Sequence, residues 1–567
     1  MQQSVGYRQT RPHTEVFYDS SQLSGANVQA EKVLTIIGSA MGGEPNRPYQ
    51  LTTFSEAREI FRGGELLDAL ELAWNPGGNS NGAGIINAIR VDEALQSELT
   101  DGAITFTSKL YGEEANKLQV EMTDNSTTDS KRLKFYFKGD NYATYDHLGN
   151  LFSVQYTGDD AQATITITES NGKADTLTLS SGADTGTLEE VKSYDLGEGV
   201  YEKVYDIMRD INSLPDFEAD LFPMGDKNLN SEDLDPVEEQ DIKADSYMVT
   251  ALQADIENAV QYDQYIEVAF NNEQTMPETI DLAYLSGGEN GTVPTSWSDV
   301  FPMLSDMNVT YIVPLTEEES IHAEMAQFIS DQSNERAGNM VRGFVGGGTN
   351  LTKEELITRQ ASIRNGRIGL VGFSGERTMQ SSGESKTIPG YLAAAQVAGI
   401  ASGIPIGEPI TYKEIALSSL DGNFTSTELD QLDANGIIMA EFVRNGASTK
   451  FRIASEVSTY NDAGDPVRNL ISLGELSDYL ATQLRDRLDN KFIGTRLRAT
   501  SASIIKADVE SFLDVQKSEN YIVDYNKEDV RVVITGDRVR IDLIVVPARG
   551  IRTINVYMQY EDPNLEA

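Results

Sequence analysis

The sequence predicts a multidomain protein of mixed α/β and α+β class. An α/β core domain is interrupted by a β-rich insertion and followed by a C-terminal α+β domain that carries strand-exchanging terminal arms. Three observations predict this. The chain has 567 residues, more than a single hydrophobic core usually serves. Strand-length apolar runs alternate with helical periodicity on both sides of a block of short alternating segments separated by Asp, Asn, Gly and Ser turns. Finally, β-branched runs joined by a turn, Val530 to Ile534 and Val539 to Val546, end in an alternating tail from Arg552 to Tyr560.

Taken in order, residues 1–23 form a polar arm with Arg8 and Arg11 ahead of the first acid at Glu15, and Glu15-Val16-Phe17-Tyr18 has the pattern of a short strand. Residues 24–96 open the α/β domain: strand Val33 to Ile37, helices Ser55 to Phe61 and Glu65 to Trp74, strand Ile85 to Val91. Residues 97–261 are the β-rich, acidic insertion. An insertion into a continuous α/β pattern must leave the parent sheet at its surface, so this block is expected to face outward. It includes helices expected at Val200 to Leu214 and Tyr247 to Val260. Residues 262–375 resume the α/β domain, with strands at Leu282 to Leu285, Val309 to Val313, Met340 to Val345 and Ile368 to Val371. Helices are expected at Ser296 to Met307, Glu317 to Gln332 and Lys353 to Ile363, and the alternation implies parallel pairing. Residues 376–546 form the C-terminal domain. It opens with a helix of small residues from Pro389, including Ala393, Ala394, Ala395, Ala398 and Gly399, suited either to close core packing or to a subunit contact. A strand pair, Ile437 to Phe442 with Phe451 to Ala454, and the helix Ser472 to Ile493 follow. Residues 547–567 are the second arm.

The C-terminal hairpin is where the sequence points to function. Gly536 and Asp537 supply a tight turn, placing Val530, Val532 and Ile534 opposite Val539, Ile541 and Leu543. Pro547 to Gly550 then acts as a tether, and Ile554, Val556, Met558 and Tyr560 share one side of a third strand. An isolated hairpin is marginal and has open backbone edges, so this strand must fold back on its own hairpin or pair with another molecule's. The second outcome makes a polymer. Arg485, Arg487, Lys491, Arg496 and Arg498 form a basic island, explained either by the helix dipole or as a dock for an acidic neighbour.

Composition narrows the function. With 45 Lys and Arg against 89 Asp and Glu the net charge is −44, which repels nucleic acid and anionic membranes. Without cysteine there is no disulfide framework, thiolate site or cysteine nucleophile. A run of about 18 apolar residues, which a membrane span would need, is missing, and so is a basic then apolar leader at Met1 to Ser4. The expectation is therefore a protein made in a cytoplasm, not exported and not inserted in a membrane. Gly78-Asn79-Ser80-Asn81-Gly82 matches a nucleophile elbow but sits in a polar loop after a helix. The loops Gly287 to Gly291 and Gly346 to Gly348 lack the Gly-Lys-Ser/Thr of a phosphate loop. Asp226 to Asn230 opens like a calcium loop but has Ser231 and Val237 where glycine and glutamate belong. His13, His147 and His322 have no metal-ligand spacing. No catalytic residue, metal site or cofactor is expected.

Leu285-Ser286-Gly287-Gly288-Glu289-Asn290-Gly291 followed by Pro294-Thr295 resembles the signature of contractile-tail sheath proteins of long-tailed bacteriophages and related injection machines. Gly38-Ser39-Ala40, Ile86 to Val91 and Pro389 to Gly399 extend the resemblance over most of the chain outside the insertion. It implies a virion subunit, assembled in the host cytoplasm, that forms a helical homopolymer of stacked rings around the tail tube protein, between baseplate and tail terminator proteins. Contraction would drive the tube through the host envelope. It also implies that 376–546 is the inner domain and that Glu15 to Tyr18 and Arg552 to Tyr560 link neighbours through the hairpin. The rival readings are an α/β hydrolase or nucleotide-binding enzyme using the glycine loops, and a surface-layer or adhesin protein.

Overall fold

Val33–Gly38 is buried at all six positions, the pattern of a strand covered on both faces. In the computed structural model it lies inside a sheet that, among the described residues, has seven strands. The order is Pro48–Leu51, Ile85–Arg90, Val33–Gly38, Tyr311–Pro314, Arg342–Gly346, Ile368–Val371 and Ile437–Ile438. Residues 32–551 and 556–558 are described, apart from 79, 171, 198, 272–273, 335–337, 423, 446–447, 463 and 497–500. All neighbours are parallel except the first strand, which pairs antiparallel along Ile85–Arg90. That strand was not expected from the sequence. It begins at a proline, which an edge position tolerates. Leu34 pairs with both Ile86 and Tyr311, so the segments on either side of the insertion meet directly in one sheet.

The helix Gly390–Gly403 covers this sheet and packs on the helix Glu65–Trp74. Its alanines are buried because the backbones approach too closely for anything larger. A Cβ on Gly399 would lie 2.3 Å from the Ala73 carbonyl oxygen, and one on Gly346 would lie 2.0 Å from Gly390 backbone atoms. Of the two uses expected for this helix, the chain shows close core packing. One apolar cluster runs from Leu34 to Ile471, so the expected boundary at 375 falls inside a continuous core: the small-residue helix and the strand Ile437–Ile438 both belong to it. The separate C-terminal cluster is smaller. It joins Leu480, Leu484 and Leu488 of the long helix Ile471–Phe492 to the helix Ser501–Ser518 and to Ile522, Val530 and Val532.

The insertion contains two cores, one nested within the other. The enclosing core gathers Ile104 to Leu148 and Ile256 to Leu285, and the one nested between them in sequence gathers Leu151 to Ala251. Ile266–Phe270 pairs with Ile104–Tyr111 and Ile280–Tyr284 pairs with Leu118–Asn125. The strand expected at Leu282 to Leu285 therefore belongs to the insertion, and strand pairing carries that block past 261. Two expected helices are also shorter. Tyr247–Thr250 is a strand before the helix Leu252–Val260, and Phe301–Asp306 is a 3₁₀ turn with a proline at its start in place of a helix over Ser296 to Met307.

Replacing Gly399 by leucine is expected to cost roughly 1–3 kcal/mol or more, as overpacking a closed interface does. Urea denaturation measures it. His322 gives a second test. It is fully buried, and its Nε2 donates to the Thr316 carbonyl at 2.9 Å, which leaves Nδ1 without a protein partner among the described residues. Burial, with help from Arg359, lowers its pKa to about 4. The unfolded chain then binds the extra proton first, so stability falls as pH drops from about 6.5 towards about 4, by roughly 3 kcal/mol in all. His322→Gln should flatten that part of the stability profile relative to the native chain.

Candidate assembly site at the C-terminal hairpin

The glycine-rich loops are filled by the chain itself. Gly77 and Gly78 abut Ala416 and Glu414, and the Ser80 hydroxyl donates to the Glu414 carbonyl at 3.4 Å, a backbone contact that does not activate a nucleophile. The helix Lys353–Ile363 that follows Gly346 to Gly348 is closed by a capping box between Thr352 and Glu355, and Gly347 and Gly348 accept from Tyr391 and Gly390 N–H. Gly287 to Gly291 joins the insertion to the body. The buried Arg90 guanidinium donates to Asp92, to the Gly43 carbonyl and to the Asn290 carbonyl at 3.0, 3.2 and 2.9 Å, while Gly288 and Asn116 exchange two hydrogen bonds at 2.8 Å. Ala40 N–H also donates to Asp92 at 2.8 Å, so the sequence motifs at Gly38 to Ala40, Ile86 to Val91 and Leu285 to Gly291 meet at one joint. Among the described residues no group of three or more His, Asp or Glu is placed to hold a metal ion.

The hairpin forms from Arg531–Thr535 and Arg538–Asp542, with Gly536 at φ 64° in its turn. Val532 faces Ile541 and Ile534 faces Val539 on one side, while Arg531, Val533, Thr535, Arg538, Arg540 and Asp542 share the other. Val530 is buried, and Val532, Ile541 and Leu543 pack on the cluster beneath. Among the described residues these two strands have no further strand partner. A groove of about 430 Å³ opens beside them, lined by Leu488, Phe492, Ile493, Ile505, Val539 and Ile541.

Beyond Asp542 the chain departs from expectation. Val545–Pro547 pairs antiparallel with Ile522–Tyr525, and Ala548 N–H donates to the Tyr521 carbonyl, so the tether begins as paired backbone. Val556 and Met558 are exposed and in no strand. Glu15, Val16, Phe17, Tyr18, Ile554, Tyr560 and Arg498 lie outside the described residues. The basic island does not act as one patch. Asp508 holds Arg487 through two bonds of 2.8 and 2.9 Å and also holds Lys491. Arg485 lies against Gly338, and Arg496 is exposed past the helix end. Hydrogen bonding to Arg487 depresses the Asp508 pKa, so its stabilisation is present at neutral pH and lost as pH falls through the depressed value.

The sequence reading missed a buried polar centre where the long helix meets the sheet. Glu475 is bridged by Lys32 at 2.6 Å and accepts from Tyr311 Oη at 2.8 Å and Gly407 N–H at 3.0 Å; Lys32 also donates to the Ala401 carbonyl at 2.9 Å. Three residues on, Asp478 takes Arg342 and both guanidinium ends of Arg367, each at 2.8 Å. Two acids at helical spacing inside a leucine stripe were the available signal. Burial and the Glu475 charge keep the Tyr311 hydroxyl protonated far above its ordinary range.

Asp508→Asn is expected to lower stability by about 1 kcal/mol at neutral pH, because its partners are partly exposed. The difference from the native chain should close in acid, and urea titrations at two pH values read it.

The chain matches no protein-family model. A protein of Enterococcus phage phiEF24C described as a tail sheath protein is 44% identical over 562 residues, covering 98% of each chain. The tail sheath protein of Staphylococcus phage Twort is 42% identical over 582 residues, again covering 98% of each. The crystal structure of a sheath tail protein from Desulfitobacterium hafniense superposes with a TM-score of 0.57 over 91% of this chain and 93% of that one, at 12% identity, which shows a shared fold. The identity and coverage shared with the phage proteins place this chain in the family of bacteriophage tail sheath proteins.

Proposed function

We propose that this chain is the structural subunit of a contractile phage tail sheath: it polymerises helically around a tail tube and contracts to drive the tube through the host envelope. The observation that carries the assembly step is the hairpin Arg531–Asp542, whose strands have no partner beyond each other among the described residues and whose outer face is arginine-rich in a chain of charge −44. Strands donated by neighbouring subunits would satisfy those edges, with backbone hydrogen bonds for affinity and alternate side chains for register. The donors are the segments around Glu15 to Tyr18 and Arg552 to Tyr560. Tube, baseplate and terminator proteins are the further partners, the place of action is the virion after assembly in the host cytoplasm, and the role is not enzymatic.

Charge distribution supports the orientation. Residues 97–294 hold more than three acids for each base, whereas residues 477–551 hold equal numbers. The acidic insertion would face solvent and the neutral C-terminal unit the tube. Energy for contraction would reside in assembly: an extended packing would pass to one of lower energy through a bistable interface. About 1 kcal/mol per interface suffices when many copies act in sequence.

Removing residues 551–567 is expected to leave a folded, soluble monomer that forms no tubes. Size-exclusion chromatography and electron microscopy at high concentration test this, and tubes of native length from the truncated chain would refute the strand-donation reading.

A further inference from the structure

Lys32 precedes the buried strand Val33–Gly38, and Arg549 to Ile551 follow the strand Val545–Pro547. These two points are far apart in sequence, yet they rest on the same small piece of structure. Lys32, only 6% exposed, reaches the Ala401 carbonyl, the Pro405 carbonyl and the Glu475 carboxylate. Glu475 in turn accepts from Gly407 N–H. Two residues further, Pro409 meets the other end of the chain: a Cβ on Gly550 would lie 2.7 Å from Pro409 Cγ. Arg549, Gly550 and Ile551 line a cavity of about 330 Å³ with Pro409, Leu470 and Leu473, the last two at the root of the helix that carries Glu475. The segment 401–411, from the last turn of the helix Gly390–Gly403 onward, and the first turn of the helix Ile471–Phe492 therefore contact both ends.

Stability alone does not call for this arrangement. A buried ion pair contributes little net stability compared with an apolar pair of similar volume, because both charges must leave water. What it does provide is geometry. The Lys32–Glu475 pair ties the start of the strand Val33–Gly38 to the long helix, and the Asp478 bonds to Arg342 and Arg367 hold that helix against the sheet one turn later. The hydroxyl of Tyr311, in the strand beside Val33–Gly38, completes the set.

We propose that the segment 401–411 and the Lys32–Glu475 pair form a common anchor for both terminal arms, a pivot that keeps the two arm roots in fixed relation during contraction. This rests on the sheath reading given above. A pull on the N-terminal arm is delivered through Lys32 to the helix that carries the C-terminal unit, so neighbouring subunits linked through the arms turn in concert. The anchor itself stays intact in both states of the sheath.

The test uses the full chain assembled into sheaths, with contraction triggered by mild denaturant. If native sheaths do not form or contract, the sheath reading itself fails; if they do, the anchor is tested by Lys32→Met combined with Glu475→Gln, which removes both charges and keeps an acceptor for Gly407. The expected result is native-like assembly but at least a fivefold smaller fraction of fully contracted sheaths, with broken and partly contracted particles in their place. Full contraction at the native fraction would overturn the proposal. Should the double variant fail to fold, hydrogen exchange on native sheaths decides. Amides of 401–411 and 471–476 are expected to keep the same protection within twofold in extended and contracted states, and a tenfold loss of protection on contraction would overturn it.

Discussion

The whole molecule depends on how closely the helix Gly390–Gly403 can approach the parallel sheet and the helix Glu65–Trp74. A close contact made of glycine and alanine carbon atoms brings three stretches of chain, before the insertion, after it and near the C-terminal unit, into one core from Leu34 to Ile471. That continuity gives the insertion a rigid base at Arg90 and Asn290 and gives the long helix Ile471–Phe492 a rigid root at Glu475 and Asp478. The insertion and the C-terminal unit have apolar cores of their own, so each is a body attached to this base.

Such a division suits a subunit that must turn without coming apart. Close-packed interiors do not deform continuously, so large movements between copies have to occur at contacts and at connecting segments. In this chain the connecting segments start from paired or packed backbone: Val545–Pro547 is a strand, Ala548 is hydrogen-bonded, and Gly550 lies on Pro409. The tether the sequence suggested from Pro547 to Gly550 is therefore paired or packed along its length.

Much of the α/β core was legible because its strands are covered on both faces and appear as unbroken apolar runs, and because Pro389 marks a helix start locally. The hairpin was legible for the same reason, since Gly536 and the alternation around it are local signals. What escaped the reading depends on distant partners. The strand Pro48–Leu51 has a weak pattern of its own and exists through its pairing with Ile85–Arg90. Ile280–Tyr284 looks like any other strand, and only its partner Leu118–Asn125 assigns it to the insertion. The helix Ser501–Ser518 is the exception: it was not expected, although Ile505, Val509, Phe512 and Leu513 stand at helical spacing. The basic island itself illustrates the limit of reading charge from sequence: Asp508, on another helix, neutralises Arg487 and Lys491.

The central claim is that the subunits are joined by strands donated to the hairpin Arg531–Asp542. Cryo-electron microscopy of tubes assembled from the native chain tests it most directly, because main-chain density beside Arg531–Thr535 and Arg538–Asp542 can be traced to its subunit of origin. The account predicts terminal segments of neighbouring subunits paired along those edges. Edges left open to solvent, or covered by the subunit's own terminal residues, would contradict it.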